Sequence, residues 1–243
     1  MYNVGIVAAL EREVAPLLKT KGQKWRLADR NHDGRSFRFF EHNDTVLVCG
    51  GIGEAHARRA AEALLTLYKP SALYSVGFAG ALEPGTRVGD LFLPAQVINA
   101  ADGSRVTLGE GKGTLVSFSS VANPEQKKKL RESYGAQVVD MEAAAVARAA
   151  ESHGVRFAAV KAVSDQFDFQ FPEIDKFVDS DGRFQQGRFA LFIIPRPWLW
   201  SKVYRLASNS RKATASLCHW LSGTLSHELV ACPEPRKGEL RAR

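Results

Sequence analysis

Along this chain, apolar runs of strand length alternate with stretches whose apolar residues recur at helical spacing. Asn3 to Leu10 (NVGIVAAL) is apolar almost throughout, the pattern of a strand buried on both faces of a sheet. Glu11 to Leu18 follows, with Val14, Leu17 and Leu18 on one side, which predicts a helix. Phe37 to Glu41 and Thr45 to Cys49 read as a strand pair turned at His42-Asn43-Asp44. Gly50-Gly51-Ile52-Gly53 follows the second of these at once and opens a helix from Glu54 to Tyr68, stopped by Pro70.

The second half continues the alternation. Ala72 to Val76 reads as a buried strand running into a glycine-spaced turn, Gly77-Phe78-Ala79-Gly80. Val88 to Leu93, Gln96 to Asn99 and Leu115 to Phe118 are further strands, and Pro124 to Tyr134 is a polar helix. Then come a short strand at Gln137 to Val139, a helix from Met141 to His153 stopped by Gly154, and a strand at Phe157 to Val163. Strands and helices alternating on this scale predict an α/β sandwich with a mixed or parallel sheet. The expectation is a single catalytic domain over residues 1–228 and a basic, disordered tail over 229–243.

Composition adds limits. A chain of 243 residues, 45 % hydrophobic, suits one packed domain. No apolar run approaches the roughly 18 residues of a spanning helix, and Met1-Tyr2-Asn3 offers no basic start to a signal peptide. Cys49, Cys218 and Cys232 lack metal-type spacing and read as reduced thiols of a cytoplasmic protein. The net charge of +7 sits partly in local runs, Lys127-Lys128-Lys129, Arg211-Lys212 and the tail. It is read as solvated surface, with no nucleic-acid partner.

Ligands of open α/β sheets bind where strands end and loops converge. Glu11 and Glu13, Gly50 to Gly53, Gly77 to Gly80, and Ser164-Asp165 all fall at such ends. Asp140 and Glu142 stand at a helix start, where the dipole favours carboxylates. Each has a plain structural alternative: a solvated first turn for Glu11 and Glu13, an N-cap for Asp140, a loop residue for Asp165, tight connections for the glycines. His56 is expected on a helix surface.

Their order resembles a known family. Val4 to Val14 (VGIVAALEREV), Ser75 to Asp90 (SVGFAGALEPGTRVGD), Val139 to Ala147 (VDMEAAAVA) and Val160 to Asp168 (VKAVSDQFD) are similar to bacterial 5′-methylthioadenosine/S-adenosylhomocysteine nucleosidases. These belong to the nucleoside phosphorylase/nucleosidase superfamily. The likeness implies a three-layer αβα sandwich with a central mixed sheet, and hydrolysis of the N-glycosidic bond of a purine nucleoside such as a 5′-substituted adenosine. By that resemblance Asp165, its pKa raised in an apolar pocket, protonates the purine N7. Ser164 holds its carboxyl, Glu142 accepts from the ribose hydroxyls, and Glu13 deprotonates the attacking water. Met141, Phe78, Ala79, Gly80, Phe118, Val121 and Asp140 complete the substrate-binding set. No metal or organic cofactor is implied, and a homo-oligomer is expected by analogy.

Three features depart from the family. Phe78 stands where its members have a small hydroxyl residue, and is expected to line or narrow the pocket. The segment between Asn99 and Leu115 is short. Asp168 to Arg205 finds no match and holds Phe169, Phe171, Phe177, Phe184, Phe189, Phe192, Trp198 and Trp200. It reads as a surface element packed on the core, as a lid or apolar pocket for the 5′ group, or, least favoured, as a membrane-surface contact. Other functional readings stay open: a phosphorylase of the same fold, for which Arg58, Arg59 or Arg87 would have to hold phosphate; a hopanoid-associated enzyme acting on an adenosylated lipid; and a binding module that has lost catalysis.

Overall fold

The computed structural model describes residues 2–20, 24–170, 174–179 and 181–226. The expected tail, Phe171 and Cys232 therefore lie outside the described residues. The fold is built on the long strand β5 (Ala72–Ala81), which is flanked by β1 (Val4–Ala8) and β11 (Arg156–Asp165), both parallel to it. On the far side of β1 lie β4 (Thr45–Cys49), parallel, then the antiparallel β3 (Arg35–His42) and β2 (Arg26–His32). The short strand β6 (Leu91–Phe92) pairs with β11.

Beyond the end of β1, β5 pairs antiparallel with β10 (Val138–Asp140) through Gly80 and Ala81. From there β9 (Thr114–Ser117), β7 (Gln96–Asn99) and β8 (Arg105–Thr107) extend the mixed sheet. Helices cover both faces, because β1, β5 and β11 are apolar on both. On one face α2 (Glu54–Tyr68) and α4 (Ala143–Ser152) pack alanine-rich sides that allow close approach, burying Ala57, Ala60, Ala61, Leu64, Ala143, Val146 and Ala150. On the other, α1 (Glu11–Leu18) packs Val14 and Leu17 against Ala213, Leu217 and Leu221 of α6 (Pro197–Ser226). A smaller helix, α3 (Pro124–Tyr134), starts with a capping box between Asn123 and Gln126 and closes the β9 end. The result is the expected three-layer α/β sandwich.

Several elements differ from the sequence reading. Gly77 to Gly80 is not a turn, because β5 runs straight through it; the glycines serve a different purpose, described below. β2 shows almost no alternation (RLADRNH, with only Ala28 buried) because it is an edge strand whose faces both meet solvent. The aromatic segment folds as a 3₁₀ turn (Ile174–Phe177), α5 (Gln186–Ile193) and the start of α6. Pro197 opens a helix of 30 residues, a position where its missing N–H costs nothing.

Candidate active site

One cavity of about 560 Å³ opens at the carboxyl ends of β1, β5, β10 and β11. Glu13, Glu142 and Asp165 all line it, together with Phe78, Ala79, Gly80, Val121, Asp140, Met141 and Ser164. Phe118 does not. Its ring packs in a separate small core beside Leu82 and Val116, while its N–H donates to the Asp140 carbonyl at 2.8 Å. The strand ends one residue earlier than expected, so the chain turns away at Phe118 and delivers Ser120 and Val121 to the cavity instead.

The glycines of β5 give two of the acids their places. A Cβ on Gly77, whose φ of +149° already disfavours a side chain, would lie 2.9 Å from Glu13 Oε2. A Cβ on Gly80 would lie 2.9 Å from Asp165 Oδ2. The three-residue glycine spacing thus clears room for one carboxyl from α1 and one from β11 along the same strand.

Glu13 is buried in the first turn of α1 and accepts from the Leu10 N–H at 3.4 Å. Burial raises its pKa, opposed by the positive charge of Lys161 and by that N–H. Glu142 is half-buried at the N-cap of α4, where its Oε1 accepts from the Gly53 N–H at 2.8 Å. Burial, reinforced by the charge of Asp140, pushes its pKa up to about 7 against the opposing pull of Lys161 and Gly53. Asp140 is turned into the protein: Oδ1 accepts from Ser117 Oγ at 2.6 Å, and Oδ2 from the Ala143 N–H and Lys161 Nζ, each at 2.9 Å. It braces the Met141-Glu142 corner, with both carboxyl oxygens engaged inside the protein.

Asp165 owes its direction to a bulge. The β11–β5 register slips between Val163 and Asp165, so that Asp165 pairs with Gly80 while Ser164 is squeezed out. Ser164 Oγ donates to Asp165 Oδ1 at 2.8 Å. The expectation of an apolar enclosure fails, because Lys127 Nζ is ion-paired to Asp165 Oδ2 and also donates to the Gln166 carbonyl at 2.7 Å.

Two lysines were missed by the sequence reading. Lys127, expected on the solvated surface, is only 1 % exposed; a run of three lysines hides its place at the inward-facing end of the first turn of α3. Lys161, also 1 % exposed, lies on β11 beneath the site and donates to Ser75 Oγ at 3.1 Å as well as pairing with Asp140. Burial alone would lower its pKa, but Asp140, Glu142 and Glu13 outweigh that and hold it raised. A lysine inside an otherwise apolar strand (FAAVKAV) was the available signal, since a buried lysine needs buried carboxylates.

The aromatic segment forms part of the wall: Phe169, Gln170, Val178 and Phe184 line the cavity, with Leu206 of α6. Arg58, Arg59, Arg87 and His56 do not line it. Arg12 does, with its guanidinium stacked 5.2 Å from the Phe184 ring centroid. Among the described residues no group of three or more His, Cys, Asp or Glu is placed to hold a metal ion.

The family model of the phosphorylase superfamily matches residues 3–124 and 111–188. The chain belongs to this superfamily. A curated relative, the 5′-methylthioadenosine/S-adenosylhomocysteine nucleosidase of Staphylococcus aureus (strain JH9), is 26 % identical over 196 residues, covering 67 % of this chain and 86 % of its own. Two solved structures from Helicobacter pylori share the superfamily fold at 16 % identity and a TM-score of 0.68. Futalosine hydrolase covers 93 % of this chain and 98 % of its own. A 5′-methylthioadenosine/S-adenosylhomocysteine nucleosidase with butyl-thio-DADMe-Immucillin-A covers 94 % and 99 %. The family model runs on to residue 188, so the segment from Asp168, expected to find no match, is matched as far as that residue.

Proposed function

We propose that this enzyme hydrolyses the N-glycosidic bond of a purine nucleoside, with a 5′-substituted adenosine such as methylthioadenosine as the substrate class. The observation that carries this reading is the meeting of Glu13, Glu142 and Asp165, from three separate elements, in one cavity of nucleoside size. The nucleosidase relatives support it.

In the proposed reaction the C1′–N9 bond breaks with its electron pair passing to the base, and Asp165 gives N7 the proton that makes the base a neutral leaving group. The carboxylate left on Asp165 once the proton has gone to N7 is the form that Lys127 and Ser164 hold, one oxygen each. The sugar becomes oxocarbenium-like, and Glu142 faces it as an anion that accepts from the ribose hydroxyls; its charge counts most at the transition state. Glu13 takes a proton from the attacking water. Its burial raises its proton affinity, as suits a base. The division of labour parallels glycoside hydrolysis, with one group at the leaving atom and another at the water.

The apolar wall of Phe78, Phe169, Val178, Phe184 and Leu206 suits a substituent at the 5′ carbon that carries no charge. Purified enzyme is incubated with methylthioadenosine, with and without phosphate, and the released adenine is measured. Release at equal rates is the expected outcome. Strict dependence on phosphate would replace the hydrolase reading by the phosphorylase one. Unchanged turnover in both Glu142→Gln and Asp165→Asn would remove the site assignment.

A further inference from the structure

We propose that the face formed by α5 and the first turns of α6 docks on an anionic lipid surface. The inner side of this pair of helices is spoken for: Ile193 and Leu199 are buried against Phe169, with Phe189, Phe192, Val203 and Leu206 packed around them. The outer side is apolar as well. Leu191 is 72 % exposed, Ile194 64 %, Trp198 68 %, Trp200 55 % and Tyr204 76 %. These are five of the nine large hydrophobic residues the described protein exposes, gathered within 14 residues of sequence. Single exposed apolar residues are ordinary, whereas a cluster marks a contact surface.

The charges around the cluster identify the partner. From Gly182 to His227 the sequence has seven Lys and Arg and no Asp or Glu. Arg188, Lys202 and Arg205 are exposed beside the aromatic residues, and among the described residues none of the three, nor Arg196, forms an ion pair with a carboxylate. Arg196 lies over the Phe192 ring at 4.0 Å and Arg205 over Phe169 at 4.8 Å, so both guanidiniums are held at the surface by ring faces. The Trp200 indole N–H donates inward to the Ile193 carbonyl at 3.2 Å, which leaves the ring to present carbon outward.

Tryptophan, tyrosine and aliphatic side chains interleaved with cations are what the boundary between headgroups and acyl chains accommodates. A second copy of the chain fits poorly, since symmetric pairing of this face would set cations against cations with no acid from α5 or α6 between them. Among the described residues no helix is long and apolar enough to cross a membrane, so the contact is peripheral.

The test uses the full chain with vesicles of phosphatidylcholine alone or containing about 30 % phosphatidylglycerol, with co-sedimentation and tryptophan quenching by brominated acyl chains as readouts. Expected is binding to the anionic vesicles about tenfold above the neutral ones, weakened by added salt, with quenching that shows the indoles entering the lipid. The Trp198→Ser/Trp200→Ser variant, and separately Lys202→Glu, should each lower binding several-fold. Tyr204→Ser with Leu191→Ser gives a second variant at exposed positions. Thermal unfolding and adenine release, unchanged, verify that each variant is folded. Absence of binding to either vesicle overturns the proposal, as does binding that all the variants retain. So does a dimer in solution that the tryptophan variant disperses, which would show that a second copy covers this face.

Discussion

Gly80 and Asp165 are register partners on neighbouring strands, and the Asp165 carboxyl lies across the place where a Gly80 side chain would stand. A Cβ there would fall 2.9 Å from Oδ2 and 3.3 Å from Lys127 Cε. Alanine at this position displaces the carboxyl and its lysine together while leaving the strand's hydrogen bonds in place. Gly80→Ala is expected to lower kcat for adenine release about 10- to 100-fold, the scale of cost for a catalytic group moved by an ångström or less. The thermal midpoint should change little, and the two measurements together separate a displaced acid from a damaged fold.

Lys127 holds the second oxygen of Asp165, and no other cation touches that carboxyl among the described residues. Lys127→Met keeps the length and the packing of the stem but leaves Asp165 with Ser164 alone. Loss of orientation should reduce kcat by about 10²-fold, the lower end of what general acid catalysis contributes, with KM nearly unchanged. Lys127→Arg should recover part of the rate. A variant whose kcat and pH profile match the wild type would show that Lys127 only fills space.

These two relationships also indicate what the sequence could and could not convey. Buried strands such as Val4–Ala8 and helices such as Glu54–Tyr68 were legible because their apolar spacing is set locally by which faces they bury. The three acids were legible through family motifs. Lys127 was not, since a run of lysines shows no sign of which one faces inward. The Gly77–Gly80 spacing read as a turn because φ freedom and close approach both call for glycine, and only the third dimension shows a carboxyl above each one. The helix after Pro197 was hidden for a related reason: proline stops a helix in the middle but suits its first turn.

Glu142 couples activity to stability. Its pKa stands at about 7 in the folded protein against an ordinary 4.5. The folded chain therefore keeps a proton that the unfolded chain releases between those values. The folded state loses stability as pH rises through that window, and above about pH 7 the cost is fully present. Glu142→Gln removes the titration while its amide oxygen still accepts from Gly53. The variant should unfold about 3 °C higher near pH 8.5, the shift that roughly 1 kcal/mol gives a chain of this size, and no higher near pH 5. Its activity should be lost at both. In the wild type, kcat/KM should fall on the acid side of about pH 7 as Glu142 becomes protonated. A flat profile from pH 5 to 8 would show that the ionised carboxylate is not required.

Selectivity at the 5′ carbon should lie in the aromatic segment. Phe184 lines the cavity and packs against the Phe189 ring, with centroids 5.3 Å apart, and the Arg12 guanidinium. Truncation to Phe184→Ala removes apolar wall and unstacks Arg12 without touching any of the acids. An alkylthio substituent that packs on this wall should lose about 1–3 kcal/mol of binding, or 5- to 150-fold in kcat/KM. Adenosine, whose 5′ group is a hydroxyl, should lose much less. The ratio of kcat/KM for a butylthio- over a hydroxyl-bearing nucleoside is thus the quantity to measure. If Phe184→Ala lowers both substrates equally, the wall contributes closure of the site rather than recognition, and the determinant of the 5′ group must lie with Phe78 and Leu206.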